Sequence, residues 1–360
     1  MIARAAMDVG CRYFAGYPIT PASQIFEVMT RELPERGGVA ISAPDEISAL
    51  AWCLGASIRG VPAMTATSGP GWALMVESVG YAVMTETPVV IAMVQRLGPS
   101  TGAATGGAQG DVGMVSQAVS GGYTIPVLAA STAQEAYEET LRAFEIAERL
   151  RTPVVLLADK EVASTTEVVE PDRLPAPPAL LRPTFSGPGT YRPYAFGEPG
   201  EVPAFAPAGG PHKVTVTGSA HDFDGHLRKD DPEVLAVLRH LEQKIAGAEA
   251  TLGRLDVDGA GADTLVLSYG VSSRASREAV ALARAEGRAV AMGNLRTLFP
   301  VPRTALAAAL EGVRRVVIVE ENMGGQYAQV LAPLLGDRQL VRVNGLGKLI
   351  PPAEIRHGIG

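Results

Sequence analysis

Short apolar runs that end in glycine, proline or a hydroxyl residue alternate along this chain with stretches whose apolar residues recur at helical spacing. Runs at 13–16, 63–67, 89–93 and 154–157 read as strands, the later ones bounded by Pro and Gly. Between them Ile2, Ala5, Ala6 and Val9, and then Ile47, Leu50, Ala51 and Leu54, mark helical faces. Ser131 and Gln134 fit a capping box that opens a helix running to about Leu150. This alternation predicts a parallel sheet with helices on both faces. A second alternating block begins near Asp263, with strands expected at 264–268, 288–292, 316–319 and 339–343. From Glu170 to Pro211, Pro and Gly recur every few residues, with Tyr191, Tyr194, Phe196 and Phe205 among them. That is too aromatic for a free linker and predicts an extended segment laid over a surface shared with a partner. Asp231-Pro232 then starts a helix with Val234, Val237, Leu238, Leu241 and Ile245 on one face. The expected fold is α/β, with two doubly wound parallel-sheet domains at 1–169 and 256–360. A connecting segment at 170–255 joins them.

Composition narrows the function classes. The net charge is −7 and Lys and Arg are nowhere concentrated, so nucleic acid is not an expected partner. The apolar runs are strand-length, too short to span a bilayer, and the N-terminus lacks a signal-peptide core, so a cytoplasmic location is expected. Two cysteines, Cys11 and Cys53, cannot ligate a four-thiolate cluster, and the five histidines show no metal-ligand spacing. No metal site is expected on this chain, and a redox centre would sit on another.

Three turns and one helix start hold candidate site residues. Tyr17-Pro18-Ile19-Thr20-Pro21 follows the first strand and leaves the Thr20 hydroxyl at the carboxyl edge of the sheet, where open α/β sheets bind ligands. Taken alone it is a rigid turn. Asp45-Glu46 opens a helix, an ordinary place for acids. Thr67-Ser68-Gly69-Pro70-Gly71 is a strand-to-helix turn of small residues that lets backbone approach a ligand, but Gly69-Pro70-Gly71 lacks the third glycine of a dinucleotide fingerprint. Arg96 ends the 89–93 strand and precedes Leu97-Gly98-Pro99-Ser100-Thr101-Gly102.

In combination these motifs carry more. Ala15 to Ser23, Asp45-Glu46-Ile47, the Thr67 to Gly71 turn, Val94-Gln95-Arg96, Gln109-Gly110-Asp111 and Glu320 to Gln326 follow one another as in the alpha subunits of the 2-oxoacid:ferredoxin oxidoreductases, which the chain resembles over nearly its whole length. The resemblance implies a first domain similar to the pyrimidine-binding domain of thiamin enzymes and a second similar to the transketolase C-terminal domain. It implies that Glu46 bonds N1′ of the aminopyrimidine of thiamin diphosphate, with Thr20, Ser68 and Gly69 beside the cofactor. Thr20 and Arg96 would contact the 2-oxoacid. The Gly-Asp-Gly diphosphate and Mg²⁺ motif is absent from the sequence. In the resembling family it lies on a beta subunit, together with iron–sulfur clusters.

The implied reaction is oxidative decarboxylation of a 2-oxoacid with coenzyme A, electrons leaving to ferredoxin, with a beta subunit and a separate gamma subunit as partners. The chain starts inside what is usually the first helix, so an upstream segment is short or missing. Ser116 and Ser120 stand where 2-oxoglutarate-specific relatives tend to carry Arg and His. With Met114 and Tyr123 nearby, they predict an aryl or branched substrate. His221 is expected to be structural. The rival readings are a 2-oxoglutarate-specific member, a transketolase-like or dehydrogenase subunit with another acceptor, and a non-catalytic scaffold.

Overall fold

The computed structural model describes residues 1–117 and 119–360. Six strands of the first half run parallel: β1 (Tyr13–Gly16), β2 (Val39–Ser42), β3 (Ala63–Thr67), β4 (Val89–Gln95), β5 (Val127–Ala129) and β6 (Pro153–Asp159). Around them lie α1 (Ile2–Asp8), α2 (Ser23–Glu32), α3 (Glu46–Ile58), α4 (Gly69–Met84), α5 (Val112–Ser116), α6 (Ala133–Leu150) and α7 (Lys160–Ser164). Every residue of β3, β4 and β6 is buried, because helices cover both faces of the sheet; this is why these strands read as unbroken apolar runs.

After α8 (Pro232–Gly247) and α9 (Glu249–Leu252) comes a second sheet of β7 (Leu255–Asp258), β8 (Thr264–Ser268), β9 (Val290–Leu295), β11 (Arg315–Glu320) and β12 (Gln339–Asn344). Its helices are α10 (Ser272–Ala285), α11 (Arg303–Ala309), α12 (Gln326–Leu331) and α13 (Pro352–Ile359). One strand crosses over: β10 (Thr297–Phe299) pairs antiparallel with β5, so the first sheet has seven strands in the order β10-β5-β6-β4-β3-β1-β2. One apolar cluster runs from Trp72, Met75 and Ile91 to Leu265, Leu298 and Tyr327, so the two halves share a core.

One sequence expectation needs correction. The cap of α6 is Thr132, whose hydroxyl accepts the Glu135 N–H (3.1 Å), while Glu135 reaches back to Ser131 N (2.7 Å); the box is shifted by one residue from Ser131–Gln134. The Pro/Gly-rich segment is laid on this chain's own first domain. Buried Arg151 bonds the carbonyls of Pro193 (3.2 Å) and Pro203 (2.9 Å), and Arg182 forms a bidentate pair with Glu148 (2.6 and 2.8 Å) while lying 4.4 Å above the Phe205 ring. These contacts lie at the edge where β4 and β6 begin, away from the motif-bearing turns. His221 is structural, with ring nitrogens against Asp222 O (2.9 Å) and Met84 O (3.2 Å) and Tyr194 stacked on it.

Under this segment Glu86 is fully buried, bonded to Lys244 Nζ (2.6 Å) and His240 Nε2 (3.2 Å). Burial pushes its carboxyl up, but Lys244, His240 and Arg151 outweigh this and hold it at about 2. The pair ties α8 to the end of α4. Glu86→Gln leaves a buried ammonium without its counter-charge and should cost about 3 kcal/mol or more, read from the urea unfolding midpoint. A loss below about 1 kcal/mol would show that the pair contributes no more than a surface one.

Candidate active site

The topology opens a crevice between the carboxyl ends of β1 and β3, since the chain leaves β1 toward β2 on one side and continues from β3 toward β4 on the other. The Tyr17–Pro21 turn follows β1, Ser68 and Gly69 follow β3, Arg96 follows β4, and Glu46 begins the helix after β2. All five candidate residues therefore lie at one edge of one sheet.

The structure separates the two acids at the start of α3. Asp45 is the cap, its carboxylate accepting the Ser48 N–H at 2.7 Å, and it needs no other role. Glu46 is the first helical residue and is buried, 4% exposed. Its carboxylate lies against Gly71, where any Cβ would collide with Glu46 Oε1 and Thr67 Oγ1. Thr67 donates its hydroxyl proton to Ser68 O (3.3 Å) rather than to Glu46. Ser68 stands at the cap position of α4 without making a cap bond, and its buried hydroxyl and the Trp72 indole N–H have no partner. Glu46 thus lies buried against the start of α4, where the Ser68 hydroxyl is left without a partner.

Across the crevice, Arg96 is 6% exposed, donates from Nη1 to Thr20 O at 2.6 Å, and leaves Nε unpartnered. Thr20 is exposed, so its side chain borders the opening while its carbonyl orients the guanidinium. The loop after Arg96 closes on itself through Leu97 N to Gly106 O (2.8 Å) and Ala103 N to Leu97 O (2.9 Å). It then delivers Gln109 and Asp111.

Those two residues, and the acids around them, carry no assigned role in the sequence reading. Asp159, at the end of β6, accepts bonds from Gln95 (2.9 Å), Gln109 (3.0 Å) and Val271 N (2.5 Å). Burial, with Glu161 adding to it, lifts Asp159 to about 7 against those bonds. Glu321, in the loop after β11, is lifted to about 8 by burial and by the charges of Asp159 and Glu161. The available signal was an acid ending an apolar run, as Arg96 does on the neighbouring strand. Tyr123, by contrast, does not reach the crevice. Its neighbour Thr124 bonds Glu242 of α8 (2.9 and 3.1 Å) at the start of β5, the opposite edge of the sheet from Arg96. Ser116 turns its hydroxyl onto Gly113 O (2.8 Å), and Ser120 is exposed.

The chain is similar to known proteins. Residues 4–236 match the family described as pyruvate flavodoxin/ferredoxin oxidoreductase, thiamine diP-binding, and residues 262–349 match pyruvate:ferredoxin oxidoreductase core domain II. The 2-oxoglutarate synthase subunit KorA of Methanothermobacter marburgensis is 40% identical over 99% of this chain and 96% of its own length. The chain belongs to the 2-oxoacid:ferredoxin oxidoreductase family. Proteins of this family are thiamin-diphosphate-dependent oxidoreductases, and this chain is one of their subunits.

A second oxidoreductase relative, the ketoisovalerate oxidoreductase subunit VorB of Methanothermobacter thermautotrophicus, is 34% identical over 95% of this chain and 90% of its own length. The solved 2-oxoglutarate:ferredoxin oxidoreductase of Magnetococcus marinus, with 2-oxoglutarate, coenzyme A and succinyl-CoA bound, superposes with a TM-score of 0.91 at 30% identity. The match covers 99% of this chain, which spans 63% of the length of that one. A split-gene transketolase (TM-score 0.60, 16% identity, 99% of this chain and 95% of that one) shares the fold.

The raised carboxyls of Asp159 and Glu321 fix a pH dependence for this oxidoreductase subunit. Their folded-state values lie above the unfolded range near 4, so the folded chain binds protons more tightly and stability falls as pH rises from about 4 to about 8. The melting temperature should therefore drop between about pH 5 and about pH 8.5, and Glu321→Gln, which removes one of the repelling charges, should flatten the drop. A melting temperature that climbs over this interval, or an unchanged slope in the variant, would contradict the assignment.

Proposed function

We propose that this chain is the alpha-type subunit of a 2-oxoacid:ferredoxin oxidoreductase and contributes the aminopyrimidine side of a site completed by a partner subunit. The observation that carries this reading is the buried Glu46 carboxylate, relieved of capping by Asp45 and admitted by the missing Cβ of Gly71. The residues fit the pyrimidine end of thiamin diphosphate: Glu46 to accept a ring N–H, and the free Ser68 hydroxyl beside Gly69 at the start of α4. Nothing in the sequence offers Gly-Asp-Gly for the diphosphate and Mg²⁺, which are assigned to a beta subunit along with the iron–sulfur clusters. A gamma subunit, coenzyme A and ferredoxin complete the assembly.

Thiamin diphosphate, when bound, supplies a nucleophilic carbon and an electron sink for decarboxylation. This chain's residues orient and protonate around it. Glu46 accepts the ring N–H at its buried carboxylate, where the bond is worth more than in solution. Arg96, with Nη1 fixed on Thr20 O, offers its remaining N–H groups to the substrate carboxylate, and Thr20 borders its carbonyl.

For the substrate, the relatives' names and this chain's residues point apart. Relatives named 2-oxoglutarate synthase are 35–40% identical, whereas those named ketoisovalerate oxidoreductase are 33–34% identical. With Tyr123 at the opposite sheet edge, the case for an aryl pocket loses a wall, and we take 2-oxoglutarate as the first substrate. The second reading, an aryl or branched 2-oxoacid, rests on one observation: Arg96 is the only basic residue between Arg59 and Arg142, so the distal carboxylate of 2-oxoglutarate needs a cation from a partner.

Glu46→Gln should leave the complex assembled while lowering turnover by about 10²–10⁴-fold. Turnover within about tenfold of the parent would remove Glu46 from the mechanism. Catalytic efficiencies of the assembled complex for 2-oxoglutarate, 2-oxoisovalerate, phenylglyoxylate and pyruvate, with a viologen acceptor, should rank 2-oxoglutarate first. A clear preference for 2-oxoisovalerate or phenylglyoxylate would restore the uncharged pocket and leave the family assignment intact.

A further inference from the structure

Asp111 occupies a position that the roles above do not explain. Its carboxylate lies against Gly69, where a Cβ would be 2.8 Å from both of its oxygens, so it sits at the amino end of the long helix α4. The Arg96 amide and guanidinium favour its charged form, and Asp111 N donates to Gln95 Oε1 at 3.2 Å. Oδ2 is buried without a partner, as are Arg96 Nε and the Ser68 hydroxyl next to Gly69. Three unfilled polar atoms therefore stand at one edge of the sheet, two of them on groups of opposite charge. Yet no ion pair forms between Arg96 and Asp111, although Arg96 is nearly fully buried. A buried guanidinium ordinarily demands close neutralisation. Here the counter-charge is held close but not closed onto it.

We infer that Asp111 sets the affinity of the Arg96 site for the substrate's carboxylate, acting as a positioning residue that shares the guanidinium's field with the incoming anion. This rests on the proposed role of Arg96. While Asp111 is ionised, Arg96 is partly compensated and the substrate anion meets a second negative charge. Once Asp111 is protonated, the full positive charge is available, and its O–H can donate.

Burial raises Asp111 to about 6, against the pull of the Arg96 amide and guanidinium. The groups facing it are Arg96, just after β4, and the amino end of α4, which brings the positive end of the helix dipole but no titratable side chain. From β8 comes Tyr269, which in turn feels Glu320 and Asp159; α5 itself brings no charge.

The test is binding of oxamate, a non-reacting monoanion shaped like a small 2-oxoacid, to the assembled complex by calorimetry from about pH 8 to about pH 5. In the parent complex affinity should tighten by about tenfold as pH falls through Asp111's range. Asp111→Asn, which keeps the shape at Gly69, should bind at pH 8 about as tightly as the parent does at pH 5, with a flat profile. In turnover the variant should lower KM for the 2-oxoacid with little change in kcat. A flat profile in the parent overturns the inference without any variant. So does weaker binding in Asp111→Asn, or a slope that persists there and so belongs to Asp159 and Glu321. Arg96→Ala separates this from the underlying reading. If oxamate still binds that variant, the Arg96 assignment falls. If binding is lost but the parent profile is flat, only the Asp111 role falls.

Discussion

The carboxamide of Gln109 joins the two halves of the molecule and positions the loop that delivers Asp111. Its Nε2 donates to Asp159 Oδ2 (3.0 Å) in the first domain and to Tyr269 O (2.9 Å) in the second. Its Oε1 accepts Ser272 Oγ (2.8 Å) and Glu321 N (2.9 Å), which exhausts what an amide can donate and accept. The main chain adds Gln109 N to Glu321 O (2.7 Å) and Asn322 Nδ2 to Gln109 O (3.1 Å). A buried network with every member satisfied specifies one arrangement, because any displaced partner is left desolvated and unpaired. Arg96 and Asp111 sit at the two ends of the loop that this residue anchors, so their spacing follows from the seam between the halves.

A second seam stiffens the same relation from the opposite side. Arg296, 3% exposed at its side chain, pairs with Glu138 (2.9 Å), Glu139 (2.8 Å) and Asp256 (3.2 Å), placing one guanidinium between α6 and β7. Immediately after it, β10 leaves the second half and covers the edge of the first sheet beside β5. An open edge of this kind would otherwise present unpaired backbone groups. The crossing strand also explains why the halves share a core.

How far the chain could be read beforehand depended on burial. Strands β3, β4, β6 and β8, covered on both faces, stood out because their own residues record their environment, and 63–67 and 264–268 match to the residue. Strands β2, β5, β7 and β10 went unread. All four lie at or next to a sheet edge and two are only three residues long, so they are defined by partners far away in sequence. The same limit applied at the site. Asp45 and Glu46 are indistinguishable as acids at a helix start, and only the Ser48 contact assigns the cap to one and leaves the other free. The acids at the seam were hidden for a stronger reason: Asp159, Glu161 and Glu321 become neighbours only when the halves meet.

The distribution of unsatisfied groups carries the argument one step further. Native proteins pair nearly all buried polar atoms, and exceptions call for an explanation. Among the described residues the hydroxyl of Ser68, the indole N–H of Trp72, Arg96 Nε and Asp111 Oδ2 are all unpaired, and all border the turn after β3 or the end of β4. A scaffold freed from chemistry would gain stability by replacing such groups with apolar ones of similar shape. Under the proposed function, another molecule supplies the partners that the Arg96 guanidinium, the Asp111 carboxyl and the Ser68 hydroxyl lack within the chain. The four unpaired groups stand together at one edge of one sheet, beside a seam in which every hydrogen-bonding position of the Gln109 carboxamide is used, which is how a rigid protein holds a polar site ready.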